Sequence, residues 1–189
     1  MDSDNRAGRP DDVRTAKLVV LVGLPGSGKT TRARQLESEL RALRLTPDDW
    51  MIPLFNEPEA DGRRDILEGR FIWLAMSALR AGTNVILDFG VWSKDERSAL
   101  RFLAREEGAE CVLHYTPIDH AEQVRRINHR AATDPDTTFA ISEAELVSFR
   151  GFFQEPDGAE LNSPDIDPPP TGFATWKDWS SSRWPTSVS

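Results

Sequence analysis

A chain of 189 residues with 39% hydrophobic and 29% charged side chains is long enough for one domain with a substantial core plus short additions. No apolar run approaches the roughly 20 residues that cross a bilayer, and the polar N-terminus has no signal-peptide core, so the cytoplasm is the default compartment. The single Cys111 excludes an internal disulfide, and a net charge of −8 disfavours long polyanions as partners unless a local basic cluster overrides it.

Residues 1–15 are polar, hold four Asp and show no apolar period, so they are expected to form a flexible arm. LVVLVG at 18–23 predicts a short strand buried on both faces. A helix over Lys29–Leu43 follows, with Ala33, Leu36, Leu40 and Leu43 inward. Pro47 breaks regular structure in LTPDDWM, and 52–62 is expected to be loop. A helix from Arg64 to Leu79 turns Ile66, Leu67, Phe71, Leu74, Met76 and Leu79 inward and stops at Gly82. NVILDFG at 84–90 and ECVLHYT at 110–116 predict two further strands. Between them lies a helix with Ser93 as N-cap and Glu96 as its capping-box partner. A helix over 119–131, a turn-rich interruption at 133–140 and a restart capped by Ser142 and Glu145 complete the regular pattern. Strands alternating with helices make this an α/β domain with a parallel sheet. Its bounds are 16–157, and 158–189 is a Pro- and Trp-rich tail that reads as an extended linker or wrap. Three Trp in a free tail would expose much apolar surface, so the tail is expected to fold back over the domain or cover an acceptor pocket, with disorder or contact with a second copy in a homo-oligomer as the alternatives.

Gly23-x4-Gly28-Lys29-Thr30 lies between the first strand and the first helix, where such a pattern cradles phosphate. Its glycines let backbone N–H groups approach phosphate oxygens, and the helix N-terminus adds positive potential. Gly23, Pro25, Gly26, Ser27, Gly28, Lys29, Thr30 and Thr31 are therefore the nucleotide-binding set, with Lys29 on the β- and γ-phosphates and the Thr30 hydroxyl on Mg²⁺. No Asn-Lys-x-Asp base reader, paired acids after the second strand or Ser-Gly-Gly signature is present, which leaves small kinases as the large remaining class. Asp48 and Asp49 follow the first helix. A carboxylate there can take the proton of an attacking hydroxyl, or Asp48 can cap a short helical turn. Arg126 and Arg130 share a helix face and can clamp a transferring phosphoryl group, or belong to a solvated face paired with Glu122. No His/Cys cluster has transition-metal spacing.

GLPGSGKTT, PDDW, VILDFG and RRINHR followed by SEAELVSFRGFF together resemble the P-loop kinases related to polynucleotide kinase, zeta toxin and chloramphenicol phosphotransferase, over about residues 17–157. The resemblance implies a three-layer P-loop NTPase fold with a helical lid at about 126–142, and ATP and Mg²⁺ as co-substrate and cofactor. It makes Asp48 the base, Asp88 the second metal-side group, and Arg126 and Arg130 the lid arginines. Where polynucleotide kinases carry an arginine shortly after this loop motif, the present chain has Met51, and Phe89 and Trp92 stand in place of a more polar stretch. A pocket edged by Trp50, Met51, Phe55, Phe89 and Trp92, with Asp49 beside it, suits a small, partly apolar hydroxyl compound better than a nucleic acid, unless these side chains serve core packing. Two other readings stay open: a 5′-hydroxyl polynucleotide, nucleoside or sugar-nucleotide kinase, and a nucleotide-binding regulatory module whose tail carries the function.

Overall fold

The structure, a computed structural model, describes residues 15–57, 61–133 and 141–188. The expected N-terminal arm and most of the interruption at 133–140 lie outside these residues. Among the described residues four parallel strands form one sheet, β1 (Lys17–Val22), β2 (Leu43–Leu45), β3 (Val85–Leu87) and β4 (Glu110–Tyr115), in the order β2-β3-β1-β4. The two central strands are buried on both sides, which is why they read as continuous apolar runs. Along β1, Leu18, Val20 and Val22 enter the larger core cluster, whereas Val19 and Leu21 enter a smaller one with Ala33, Leu36 and Ile86. Strand alternation thus separates two helical layers: α1 (Lys29–Leu40) on one face, and α3 (Arg63–Arg80) with α4 (Lys94–Glu106) on the other.

Register brings the carboxyl ends of the strands together. Val20 pairs with Leu87, Val22 with Tyr115 and Leu45 with Leu87. The Asp88 N–H donates to Leu45 O at 2.9 Å and the Thr116 N–H to Val22 O at 2.9 Å. The glycine loop, residues 46–49 and Asp88 therefore leave the sheet along one edge, where ligands of open α/β sheets bind.

Four expectations are corrected. The first helix ends at Leu40, because Arg41 turns left-handed (φ 50°) and its N–H closes on Glu37 O; Leu43 is instead an exposed residue of the short edge strand β2. Residues 48–55 are helical rather than broken: Pro47 occupies the N-cap and α2 (Asp48–Phe55) carries Pro53 inside. That helix ends at Asn56 (φ 57°), whose N–H bonds Ile52 O. In α3 the inward face holds Gly69, Phe71, Ile72, Ala75, Met76 and Leu79, whereas Ile66 and Leu74 face solvent. The strand expected at 84–90 is shorter, ending at Leu87. Both capping boxes form, Ser93 with Glu96 and Ser142 with Glu145, the latter opening α6 (Glu143–Phe152) after α5 (His120–Thr133).

The C-terminal segment carries two further helices, α7 (Gly158–Asn162) and α8 (Trp176–Arg183). Trp176 and Trp184 are 3% and 0% exposed and belong to the larger core cluster, so their surface is spent within this chain rather than on a second copy. Trp176 Nε1 donates to Asp167 O at 2.9 Å, and Arg183 donates to Asp65 and Glu96, each at 2.8 Å. Gly69 is required at its position in α3, since a Cβ there would lie 2.1 Å from the carbonyl oxygen of Pro185. No helix among the described residues is long and apolar enough to cross a membrane.

Candidate active site

The loop after β1 is built as an anion cradle. Gly26 (φ 80°) and Gly28 (φ 98°) adopt left-handed backbone that side chains disfavour, and Gly28 forms the N-cap of α1 without any side-chain cap. The loop's far wall is α5. Gln123, fully buried, donates to Pro25 O at 3.0 Å and accepts from Arg150 of α6 at 2.8 Å, so the loop and α5 are tied to α6. Ser27 Oγ lies 2.8 Å from Thr116 Oγ1, which fixes the loop's middle to the end of β4.

Lys29 Nζ donates to Leu24 O at 2.9 Å. Burial lowers its pKa to about 8, opposed by the negative charges of Asp88 and Asp48. Thr30 Oγ1 lies 3.4 Å from Asp88 Oδ1. A hydroxyl and one carboxylate side by side at a phosphate cradle are hard oxygen donors suited to Mg²⁺ completed by phosphate oxygens and water. Among the described residues no three His, Cys, Asp or Glu side chains assemble a metal site of their own. Cys111 is half-buried on β4, and burial pushes its thiol up to about 12, far from a reactive thiolate.

Asp48 opens α2 as its first helical residue. Pro47 is the N-cap and makes no side-chain bond, so Asp48 is not the capping residue. Its carboxylate is exposed and accepts from Arg64 Nη2 at 3.0 Å. Asp49 accepts from Arg44 Nη2 at 2.6 Å. Arg126 pairs with Glu122 at 2.6 Å, as the solvated-face reading expects, and its Nη1 reaches Gly26 O of the glycine loop at 3.4 Å. Arg130 lies one helical turn further along α5. Beside Arg126 an open groove of about 470 Å³ is lined by Tyr115, Pro117, Ile118, Asp119, Glu122 and Glu155.

The expected acceptor pocket is corrected in composition. Met51 and Phe89 are 1% and 3% exposed and belong to the packing. Trp92 is half-buried with its ring 5.0 Å from Phe149 of α6, and its Nε1 is buried without a partner among the described residues. Trp50, edge-on to Phe71 at 5.4 Å, keeps 45% exposure, and Asp49 is committed to Arg44. Three residues the sequence did not single out stand behind the site. Arg44 lies on a three-residue strand, 44 positions from Asp88, and Arg64 opens α3, 16 positions from Asp48; only the i,i+4 spacing of Arg64 and Glu68 is a local signal.

Glu68 is 4% exposed and accepts from Arg64 at 3.3 Å. Burial pushes its carboxyl up to about 7, against the pull of Arg64 and Arg183. The folded state then binds more protons than the unfolded chain between the ordinary value of 4.5 and about 7. Stability is expected to fall as pH rises through that window, by at most about 3 kcal/mol, and to level off above it. Thermal melts at pH 5 and pH 8 check this, with Glu68→Gln narrowing the difference between the two.

The family model described as an AAA domain matches residues 18–156. The chain is 29% identical over 154 residues to a probable adenylyl-sulfate kinase of Aeropyrum pernix, covering 76% of this chain and 80% of that protein. A putative kinase from Chloroflexus aurantiacus has the same fold, with TM-score 0.57 at 21% identity over 85% of each chain. A chain of the Pnkp1/Rnl/Hen1 complex matches at TM-score 0.53 and 25% identity over 59% of this chain and 39% of its own length, so this chain spans about two fifths of that neighbour. A matched region running from β1 to just beyond α6 includes the phosphate cradle, α2 and the α5–α6 pair, and the chain belongs to this AAA domain family as a P-loop kinase-like member.

Proposed function

We propose that this protein is an ATP- and Mg²⁺-dependent kinase that transfers the γ-phosphate to a hydroxyl of a small molecule. The observation that carries this reading is that Thr30 Oγ1, beside Lys29 at the start of α1, lies 3.4 Å from Asp88 Oδ1, while Arg44 joins Asp88 Oδ2 to Asp49, the residue after Asp48 on α2. Donor, metal-side and acceptor-side groups thus gather at the carboxyl edge of the sheet. The loop amides and Lys29 hold the phosphates, Thr30 and Asp88 hold Mg²⁺, and the groove beside Arg126 receives the donor's nucleoside. Mg²⁺, when bound, neutralises charge developing on the phosphoryl oxygens.

Asp48 accepts the proton of the acceptor hydroxyl as its oxygen bonds to the γ-phosphorus, and the bond to the β-phosphate oxygen breaks to release ADP. Arg126 and Arg130, on one face of α5, offer guanidinium forks to the equatorial oxygens in transit. Trp50, two positions after Asp48 in the first turn of α2, keeps 45% exposure and offers an aromatic surface to an acceptor with an apolar portion. Membership of a kinase-like family and the likeness to a probable adenylyl-sulfate kinase support phosphoryl transfer to a small molecule.

The test is acceptor-dependent ADP release, measured across adenylyl sulfate, sugar nucleotides, aromatic alcohols and a 5′-hydroxyl oligonucleotide. Stimulation above the rate with water by a compact hydroxyl compound is the expected result. Stimulation by the oligonucleotide alone would move the assignment to a polynucleotide kinase, and ADP binding without any stimulation would favour a regulatory module.

A further inference from the structure

Arg44 sits where three elements meet. Its side chain, 11% exposed, projects from β2, and each of its donor nitrogens engages a different carboxylate. Nη1 meets Asp88 Oδ2 at 3.0 Å, Nη2 meets Asp49 Oδ2 at 2.6 Å and Nε meets Glu37 Oε2 at 3.3 Å. Asp88 is itself almost completely buried, with its other oxygen, Oδ1, turned to Thr30 Oγ1 at 3.4 Å. The guanidinium therefore fixes the rotation of the Asp88 carboxylate, taking one oxygen and leaving the other on the phosphate side. Through Asp49 the same group holds the first turn of α2, which also carries Asp48.

We propose that Arg44 is a positioning residue that aims Asp88 at the metal position and locks α2 to it, so that the metal-side and acceptor-side groups keep a common register. The inference rests on the reading of Thr30 and Asp88 as the Mg²⁺ side of a kinase site. The planar fork is what makes arginine suited to this place: a lysine is a point charge on a flexible stem and cannot hold two carboxylates in fixed planes at once. A carboxylate partner that orients a ligand without touching the ligand's own target acts on affinity for the metal more than on affinity for the rest of the substrate.

The experiment is the Mg²⁺ enhancement of ADP binding, the ratio of affinities with Mg²⁺ and with EDTA, read by calorimetry on the full chain without any acceptor. In Arg44→Gln the enhancement is expected to fall by about 10- to 100-fold, the range for loss of a partner that orients a metal ligand, with EDTA-state affinity unchanged. Arg44→Lys is expected to fall between that variant and the parent. Asp49→Ala, which removes the α2 anchor and leaves the Asp88 contact, is expected to reduce the enhancement less than Arg44→Gln. A purely structural role would lower the melting temperature and both affinities together while preserving the ratio, and that result overturns the proposal. If Arg44→Gln does not fold, the lysine and Asp49 variants decide by the same ratio. A parent chain showing no Mg²⁺ enhancement overturns the metal assignment itself, whereas enhancement in the parent retained in the variants overturns only the role of Arg44.

Discussion

Replacing Asp48 by asparagine is expected to lower kcat by about 10²- to 10⁴-fold, the usual contribution of a positioned general base, while leaving ADP affinity little changed. The amide oxygen still accepts from Arg64, which holds the present carboxylate at 3.0 Å, so the first turn of α2 keeps its place. What is lost is the capacity to take a proton from the acceptor. On the proposed reading nucleotide binding depends on the cradle, Lys29 and the α5 wall, whose hydrogen bonds, Lys29 to Leu24 O and Gln123 to Pro25 O, do not involve Asp48. The measurement is steady-state ADP release with the best acceptor from the screen, beside calorimetric ADP binding. A variant with the parent's kcat would make Asp48 a structural partner of Arg64 and remove it as the base. A variant that loses ADP binding as well would place its role on the donor side, through the charge it presents to Lys29.

The parts of the site that could be read from sequence are those whose physics is local. The phosphate cradle is a contiguous motif between a buried strand and a helix start. Both capping boxes place donor and acceptor three residues apart, and each forms as spaced. What escaped is held by long-range contacts. β2 has three residues and is a strand only because β3 lies beside it. Asp48 and Asp49 lie after a proline in a segment that looks broken, yet two arginines, from β2 and α3, hold its first turn in a helix. The apolar residues of that segment divide by fold rather than by type: Met51 turns into the core and Trp50 stays at the surface, although they are neighbours in sequence. Phe89 and Trp92 read as pocket residues because they replace the more polar stretch that the resemblance implies after Asp88. Phe89 instead joins the larger core cluster with residues of α3 and α4, and the half-buried Trp92 meets Phe149 of α6 at 5.0 Å, ring to tilted ring.

The C-terminal segment carries the second large expected effect. Its composition reads as linker, but Glu160 of α7 reaches Arg97 of α4 with both side chains essentially inaccessible, 1% and 0% exposed. The pair is bidentate, with Nε at 2.5 Å and Nη2 at 2.9 Å, and Arg97 Nη1 also donates to the carbonyls of Trp92 and Gln154 at 3.1 and 2.8 Å. One guanidinium thereby joins α4, the loop after Asp88 and the start of the C-terminal segment. Removing the carboxylate alone strands a charge in a region with no solvent. Glu160→Ala is expected to destabilise the fold by about 3–5 kcal/mol, measured by urea unfolding. Arg97→Met combined with Glu160→Leu removes the stranded charge and restores apolar volume, so it is expected to recover part of that loss, the remainder reflecting the two carbonyls left without their donor. Loss of less than about 1 kcal/mol in Glu160→Ala, the value of an exposed ion pair, would show that α7 detaches without consequence. It would also separate the C-terminal segment from the stability of the domain that holds Asp88.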